Sequence, residues 1–370
     1  MSGPLTALPA RLDAVGGTRL VVIAILAYVA VITLIRLVAS PYLEIDEAQF
    51  VANVDLRLVY ANSHPPLMNW LVRGALELTG WRWALALALT RALLLTLTLL
   101  MVFDTGRRLG GSTTGALALA AALLCPQVSW MSAHTLAHSL LVMTAAAGVL
   151  HGLALAMTRS QPGGLLLMGF WAGVGILAKY NIFLLLAPLA VALAAEPTVR
   201  AILTRRPAEL TAAAALCVLM AAVAATGVWQ APQESTERIS KLYRNGPFSA
   251  LDVPVLGIDG VLALALSALA WGGIAMALVV LAARTAEPVA PVAVRVLRRT
   301  LVLGLAGFAV LILVADARQV PERYLTPLMM ALPILTGLAV SAVRWRGLVL
   351  SAGLLAMIAV PVGIIGMVGF

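Results

Sequence analysis

Long apolar runs, separated by short polar or proline-containing breaks, set the pattern of this chain. An α-helix crosses a bilayer in roughly 17–25 residues. Runs near that length recur at about Leu20–Ser40, Ala88–Thr105, Thr113–Trp130, Thr135–Met157, Gly163–Ala178, Asn181–Ala195, Leu210–Gln230, Ile258–Ala283, Thr300–Val314, Leu325–Val343 and Leu348–Phe370. The short alternating strands of a β-barrel do not fit this pattern. It predicts an all-α polytopic membrane protein with about eleven transmembrane helices in a single domain over residues 1–370. The two runs flanking Lys179 are the shortest, which points to half-length helices there.

Composition excludes a soluble globule. Hydrophobic residues make up 62% of the chain and charged residues 11%, against about 25% charged in an ordinary soluble domain. The first run is longer than the core of a signal peptide and reads as an uncleaved anchor, although VAS before Pro41 resembles a cleavage site. Cys125 and Cys217 both fall inside apolar runs, without metal-like spacing, and read as packing residues.

Charge gives the orientation. Arg11, Arg19, Arg107, Arg108, Arg159, Arg200, Arg205, Arg206, Arg284, Arg295, Arg298, Arg299, Arg344 and Arg346 all fall on one side of the threading, together with Asp13, Asp104, Glu196, Glu209 and Glu287. Elsewhere cations and acids cancel, so the whole net charge of +9 is a positive-inside bias. The high isoelectric point therefore implies no nucleic-acid partner. The N-terminus is expected on the cytoplasmic side and the C-terminus outside.

Three polar segments then face outward: Pro41 to Arg82, Ala231 to Gly257 and Asp316 to Tyr324. In the first, Phe50, Val54 and Leu58 recur every four residues, as on an amphipathic helix lying along the interface and opened by Asp46. A second interfacial helix is expected after Pro65 and Pro66, with Asn69, Arg73 and Glu77 on one face and Leu67, Trp70, Leu71 and Leu78 opposite. Lys179, with Tyr180 and Asn181, lies between two short apolar runs, a setting for a re-entrant or cavity-lining site.

These residues suit transfer of a group from a lipid-linked phosphate. Asp46 is the expected general base, with Glu47 beside it; His64, Lys179 and Arg323 with Tyr324 are the outer-face candidates for the leaving phosphate. Arg91 precedes the inner Arg107 by sixteen residues, about 24 Å of helix rise, and so reaches the outer interface. Plainer roles stand beside these. Lys179 and Arg91 can snorkel, Arg323 can pair with Glu322 or Asp316, His64 can cap a helix, and Asp46 can be an N-cap. A divalent metal on Glu44, Asp46 and Glu47 is not favoured, because neighbouring helical residues do not face one another. A secondary transporter or lipid flippase is the rival class, but such proteins bury charges near the midplane and repeat their halves. No repeat is evident here.

In order, Asp46-Glu47-Ala48, HPPLMNW from His64 to Trp70, GILAKYN from Gly175 to Asn181 and RYLTP from Arg323 to Pro327 resemble the GT-C superfamily. More narrowly, they resemble its bacterial branch akin to protein mannosyltransferases, lipid A aminoarabinose transferases and rhizobial galacturonosyl transferases. The resemblance implies a GT-C-like fold with interfacial helices in the first periplasmic loop, residues 41–82, and a second periplasmic loop at 231–257. It implies an inverting glycosyltransferase of the bacterial inner membrane. Its donor is a polyprenyl-phosphate sugar, and its acceptor a lipid or glycan such as lipopolysaccharide or lipid A. Asp46 matches the family's catalytic acid, and His64, Lys179 and Arg323 match positions near the donor phosphate. Gln49, Trp70, Arg91, His138, Tyr180 and Asn181 are the expected substrate contacts. Gln49 stands where aminoarabinose enzymes carry a cation, and His138 where many relatives have an Asp. The chain also ends after the eleventh run, without the soluble C-terminal domain of some members, which points away from a protein acceptor.

Overall fold

The computed structural model describes residues 17–39, 43–60, 64–158, 162–233, 242, 258–285 and 291–368. Among these residues the chain is helical throughout, and the only β pairing is an isolated bridge between Tyr60 and His64. The helices are α1 (Gly17–Ala39), α2 (Ile45–Ala52), α3 (Leu67–Leu78), α4 (Trp83–Gly110), α5 (Ser112–Leu123), α6 (His138–Thr158), α7 (Gly164–Ala178), α8 (Phe183–Ala194) and α9 (Pro197–Thr204). They continue with α10 (Pro207–Gln230), α11 (Ile258–Thr285), α12 (Val292–Ala315), α13 (Thr326–Met329), α14 (Ala331–Val340) and α15 (Arg346–Val368).

All eleven apolar runs are helical, but they are not eleven equal spans. Among the described residues, seven helices are long and apolar enough to cross a membrane: α1, α4, α6, α10, α11, α12 and α15. The run at Thr113–Trp130 breaks, so that α5 and Gln127–His134 meet at 79°. Just past the end of the run after Lys179, at Glu196, α8 and α9 meet at 95°. Counting each bent pair as one span gives up to nine. Pro126 and Pro197 stand at the first residues after these breaks, where a missing backbone N–H costs least. Broken helices of this kind are tolerated at membrane depth where protein covers them or where they line a cavity. The 231–257 loop lies almost wholly outside the described residues.

The centre of the bundle is α4, α5 and α6. Every residue of α5 after Ser112 is buried, whereas α10, near the rim, buries only 17% of its most apolar window. Small residues allow this density. A Cβ added to Gly115 on α5 would lie 2.6 Å from the carbonyl oxygen of Phe103 on α4, and one added to Gly106 would lie 2.9 Å from the Cα of Gly115. Such close approach lets dispersion replace the hydrophobic drive that lipid cannot supply. Between α4 and α6, the hydroxyls of Thr98 and Thr144 hydrogen-bond at 2.9 Å in full burial.

Two ionic knots hold the opposite end of the bundle. Asp104 receives Arg107, Arg108 and His151, the last at 2.8 Å. Glu196, at the α8–α9 break, receives Arg295 at 2.7 Å and Arg299 at 3.3 Å. Apart from His151, these groups are ones that the charge pattern places on one side.

The first loop departs from its amphipathic pattern. Helix α2 stops at Ala52, so Phe50 is helical while Val54 and Leu58 are not. Beyond Asn53 the chain knots on itself: the Tyr60 hydroxyl donates to the Asp55 carbonyl at 2.5 Å and accepts the Arg57 N–H at 3.0 Å. Burial raises the Tyr60 phenol above its ordinary value, which keeps it a donor. Helix α3 forms as expected after Pro65 and Pro66, with Arg73 and Glu77 paired at 2.6 Å. Its deepest face is Met68, Val72 and Leu76. The face expected to be apolar is only half covered, and Leu78 is 90% exposed. Packing of α3 against α4 and α7 selected the first set.

Candidate active site

One open cleft collects the polar ends of these elements. Asp46 enters it from the first turn of α2. Gln127 and Met131 come from a π-helical turn, Gln127–Met131, and Ser132 and Thr135 from the residues that follow. Ser139, Leu140 and Met143 belong to the first turns of α6. Glu322, Arg323 and Thr326 close the wall from the turn that leads into α13.

Asp46 is held by its neighbours. Glu44, in extended backbone (φ −67°, ψ 160°), is the N-cap in place of the expected Asp46. The Glu44 N–H donates to Glu47 Oε2 at 3.2 Å, as in a capping box. Glu47 is 1% exposed and does not line the cleft. Its carboxylate receives Arg36 of α1 at 2.5 Å and accepts the Leu136 N–H at 3.3 Å. Arg91, also 1% exposed, donates to the His134 carbonyl at 3.2 Å. Together these contacts fix the start of α2 to the 134–136 strap that carries Thr135. Glu47 and Arg91 thus stand behind the wall and position it.

The cationic side is built from three distant segments. Lys179 follows the end of α7 in extended backbone, where its Nζ donates to Ser139 Oγ at 3.0 Å and lies 5.6 Å from the centre of the Tyr324 ring. Asn181 Nδ2 donates to the Tyr324 carbonyl at 2.9 Å, pinning the turn that presents Arg323. Among the described residues Arg323 makes no ion pair, so pairing with Glu322 or Asp316 does not occupy it. Its Nε is buried without a hydrogen-bond partner.

Other expected site residues lie outside this wall. His64 and His138 are both buried and stack with ring centres 3.7 Å apart, and Phe50 of α2 lies 4.9 Å from His138. Trp70 Nε1 donates to the Arg57 carbonyl at 3.0 Å and so holds the loop. Gln49 and Tyr180 are half-buried away from the cleft lining, the Tyr180 ring packing against the apolar core. Among the described residues, no three His, Cys, Asp or Glu side chains converge as a metal site would require.

Sequence reasoning missed Gln127, Thr135, Ser139 and Glu322. The signal for Glu322 was its place beside Arg323, and that for Gln127 was the Pro126 break inside an apolar run. Thr135 and Ser139 carried no signal in a stretch that reads as the head of a span.

Comparison with known proteins follows this geometry. Residues 63–225 match the dolichyl-phosphate-mannose-protein mannosyltransferase family. The chain is 27% identical over 334 residues to the lipopolysaccharide core galacturonosyltransferase RgtA of Rhizobium johnstonii, covering 89% of this chain and 65% of that one. It is 26% identical over 313 residues to RgtB of the same organism, covering 83% and 62%. In structure it resembles ArnT from Cupriavidus metallidurans bound to undecaprenyl phosphate, with a TM-score of 0.62 at 19% identity over 93% of this chain and 63% of that one. The chain therefore spans a little under two thirds of the length of these relatives.

The fold is that of ArnT, with the cleft among the broken helices of the bundle. In sequence the chain is similar to that mannosyltransferase family over residues 63–225 and to the two rhizobial galacturonosyltransferases over most of its length.

Proposed function

We propose that this chain transfers a sugar, with inversion, from a polyprenyl monophosphate to a lipid or glycan acceptor such as lipopolysaccharide or lipid A. The reaction takes place at the periplasmic face of the bacterial inner membrane, with the N-terminus cytoplasmic. Asp46 takes the proton from the acceptor hydroxyl as that oxygen attacks the anomeric carbon. The bond to the phosphate oxygen breaks on the opposite side of that carbon, and the phosphate leaves with the electron pair. Arg323 meets the growing charge with a guanidinium fork, and Lys179 adds a point charge from behind Ser139.

One observation carries this reading: Asp46 and Arg323, far apart in sequence, line the same cleft. The names of the relatives support it, since they include two lipopolysaccharide core galacturonosyltransferases and a protein bound to undecaprenyl phosphate.

The test is transfer of radiolabelled sugar from polyprenyl phosphate to membrane glycolipids by the purified chain in nanodiscs. Asp46→Asn is expected to lower the rate by about 10²–10⁴-fold while leaving the melting temperature unchanged. Full activity in that variant refutes the assignment of the base. Substrate flux without any covalent product refutes the reaction class.

A further inference from the structure

Gln127, Thr135 and Glu322 line the cleft but take no part in the transfer step. Gln127 Nε2 donates to Glu322 Oε1 at 3.1 Å, joining two segments 195 residues apart. The bond leaves the second carboxylate oxygen and the carboxamide oxygen as neighbouring acceptors. Gln127 reaches this place because the helix widens into a π turn, a rare conformation that is frequent at functional sites. Thr135 Oγ1 is buried in the same wall and makes no hydrogen bond among the described residues. A buried hydroxyl without a partner is uncommon enough to call for an explanation, and in a cleft wall a ligand supplies one.

Position in the chain says which ligand. Glu322 adjoins Arg323, the residue assigned to the leaving phosphate. The donor sugar is bonded to that phosphate through its anomeric carbon, so its ring must lie next to Arg323 and against Glu322. Resting on the transfer reaction proposed for this cleft, we propose that Glu322, Gln127 and Thr135 form the donor-sugar subsite. Glu322 and Gln127 accept hydrogen bonds from hydroxyls on one edge of the ring, and the Thr135 hydroxyl completes the set. Asp46 and Glu322 are both acidic, and Arg323 is the cation of the described wall. The ring edge facing Glu322 therefore carries neutral hydroxyls and no carboxylate.

The experiment measures binding of three synthetic probes to the full chain in nanodiscs: undecaprenyl phosphate, and the same lipid phosphate bearing galactose or galacturonate. Wild type is expected to bind the galactose lipid about 10–100-fold more tightly than the bare lipid, the range for hydrogen bonds to a charged group. Glu322→Gln and the isosteric Thr135→Val each reduce that gain by about 5-fold or more, with bare-lipid binding within about two-fold of wild type. Glu322→Gln also shifts preference toward galacturonate, because it removes a negative charge from the wall. The subsite is overturned if both variants keep the full gain, or if they lose bare-lipid binding by the same factor. An unchanged galactose-to-galacturonate ratio in Glu322→Gln overturns the neutral-edge assignment. If wild type binds none of the three probes, the transferase reading itself fails and takes the subsite with it. That outcome differs from failure of the subsite alone, in which wild type binds and the variants match it.

Discussion

Arg36→Met and Glu47→Gln, made singly and together, probe the buried ion pair that fixes Asp46. The two side chains are 13% and 2% exposed and meet at 2.5 Å, and Glu47 also accepts the backbone N–H groups of Glu44 and Leu136. Removing one partner of a buried pair costs about 3–5 kcal/mol, because the other charge stays buried. Glutamine keeps an oxygen for the backbone donors, so Glu47→Gln is expected at the lower end, about 3 kcal/mol. Arg36→Met leaves a carboxylate in the interior and is expected to cost about 4 kcal/mol. The double variant carries neither charge and should cost only about 1–3 kcal/mol in total, a coupling of at least about 2 kcal/mol. Equilibrium unfolding in mixed detergent micelles measures all four corners of the cycle. Single-variant costs that add to within about 0.5 kcal/mol would refute the coupled pair. In the transfer assay both single variants should lower kcat while bare undecaprenyl phosphate binds as before, since the pair acts through the placement of Asp46.

Lys179→Met removes the buried ammonium beside Ser139 and Tyr324 and is expected to weaken undecaprenyl phosphate binding by about 10–100-fold, measured in nanodiscs; Ser139→Ala should weaken it by less. Gly115→Ala sets a methyl 2.6 Å from the Phe103 carbonyl, and detergent unfolding should show a loss of about 1–3 kcal/mol. Thr98→Val removes one interhelical hydroxyl pair, with an expected loss near 0.6 kcal/mol, the rough average for such bonds in membranes.

The sequence carried the helices and the class of chemistry further than it carried the wall of the site. Length and hydropathy found the long apolar helices, though not the short α9 (Pro197–Thr204), because crossing a bilayer demands a long apolar stretch whatever the neighbours are. They did not find the sharp bends before Gln127 and at Glu196, since a bend depends on which backbone groups the rest of the bundle can satisfy. Asp46, Lys179 and Arg323 stood out because an ionisable residue in a chain this apolar is costly to place. The partition between Asp46, at the cleft, and Glu47, behind it, was not legible, because successive helical residues diverge by about 100° and the helix phase is set by packing. The inward faces of α2 and α3 were misjudged for the same reason. Leu78 is as apolar as Leu76, yet Leu76 is buried and Leu78 is 90% exposed. Thr135 and Gln127 are common residues whose meaning comes wholly from the strap and turn that hold them.

The cleft draws its walls from residues 46, 127–143 and 322–326, and this has a consequence for biogenesis. During membrane insertion Asp46 emerges early and Arg323 late, so the nascent chain carries no complete cleft wall until the segment holding Arg323 has threaded home. The stretch matching the mannosyltransferase family, 63–225, contains neither end of that pair.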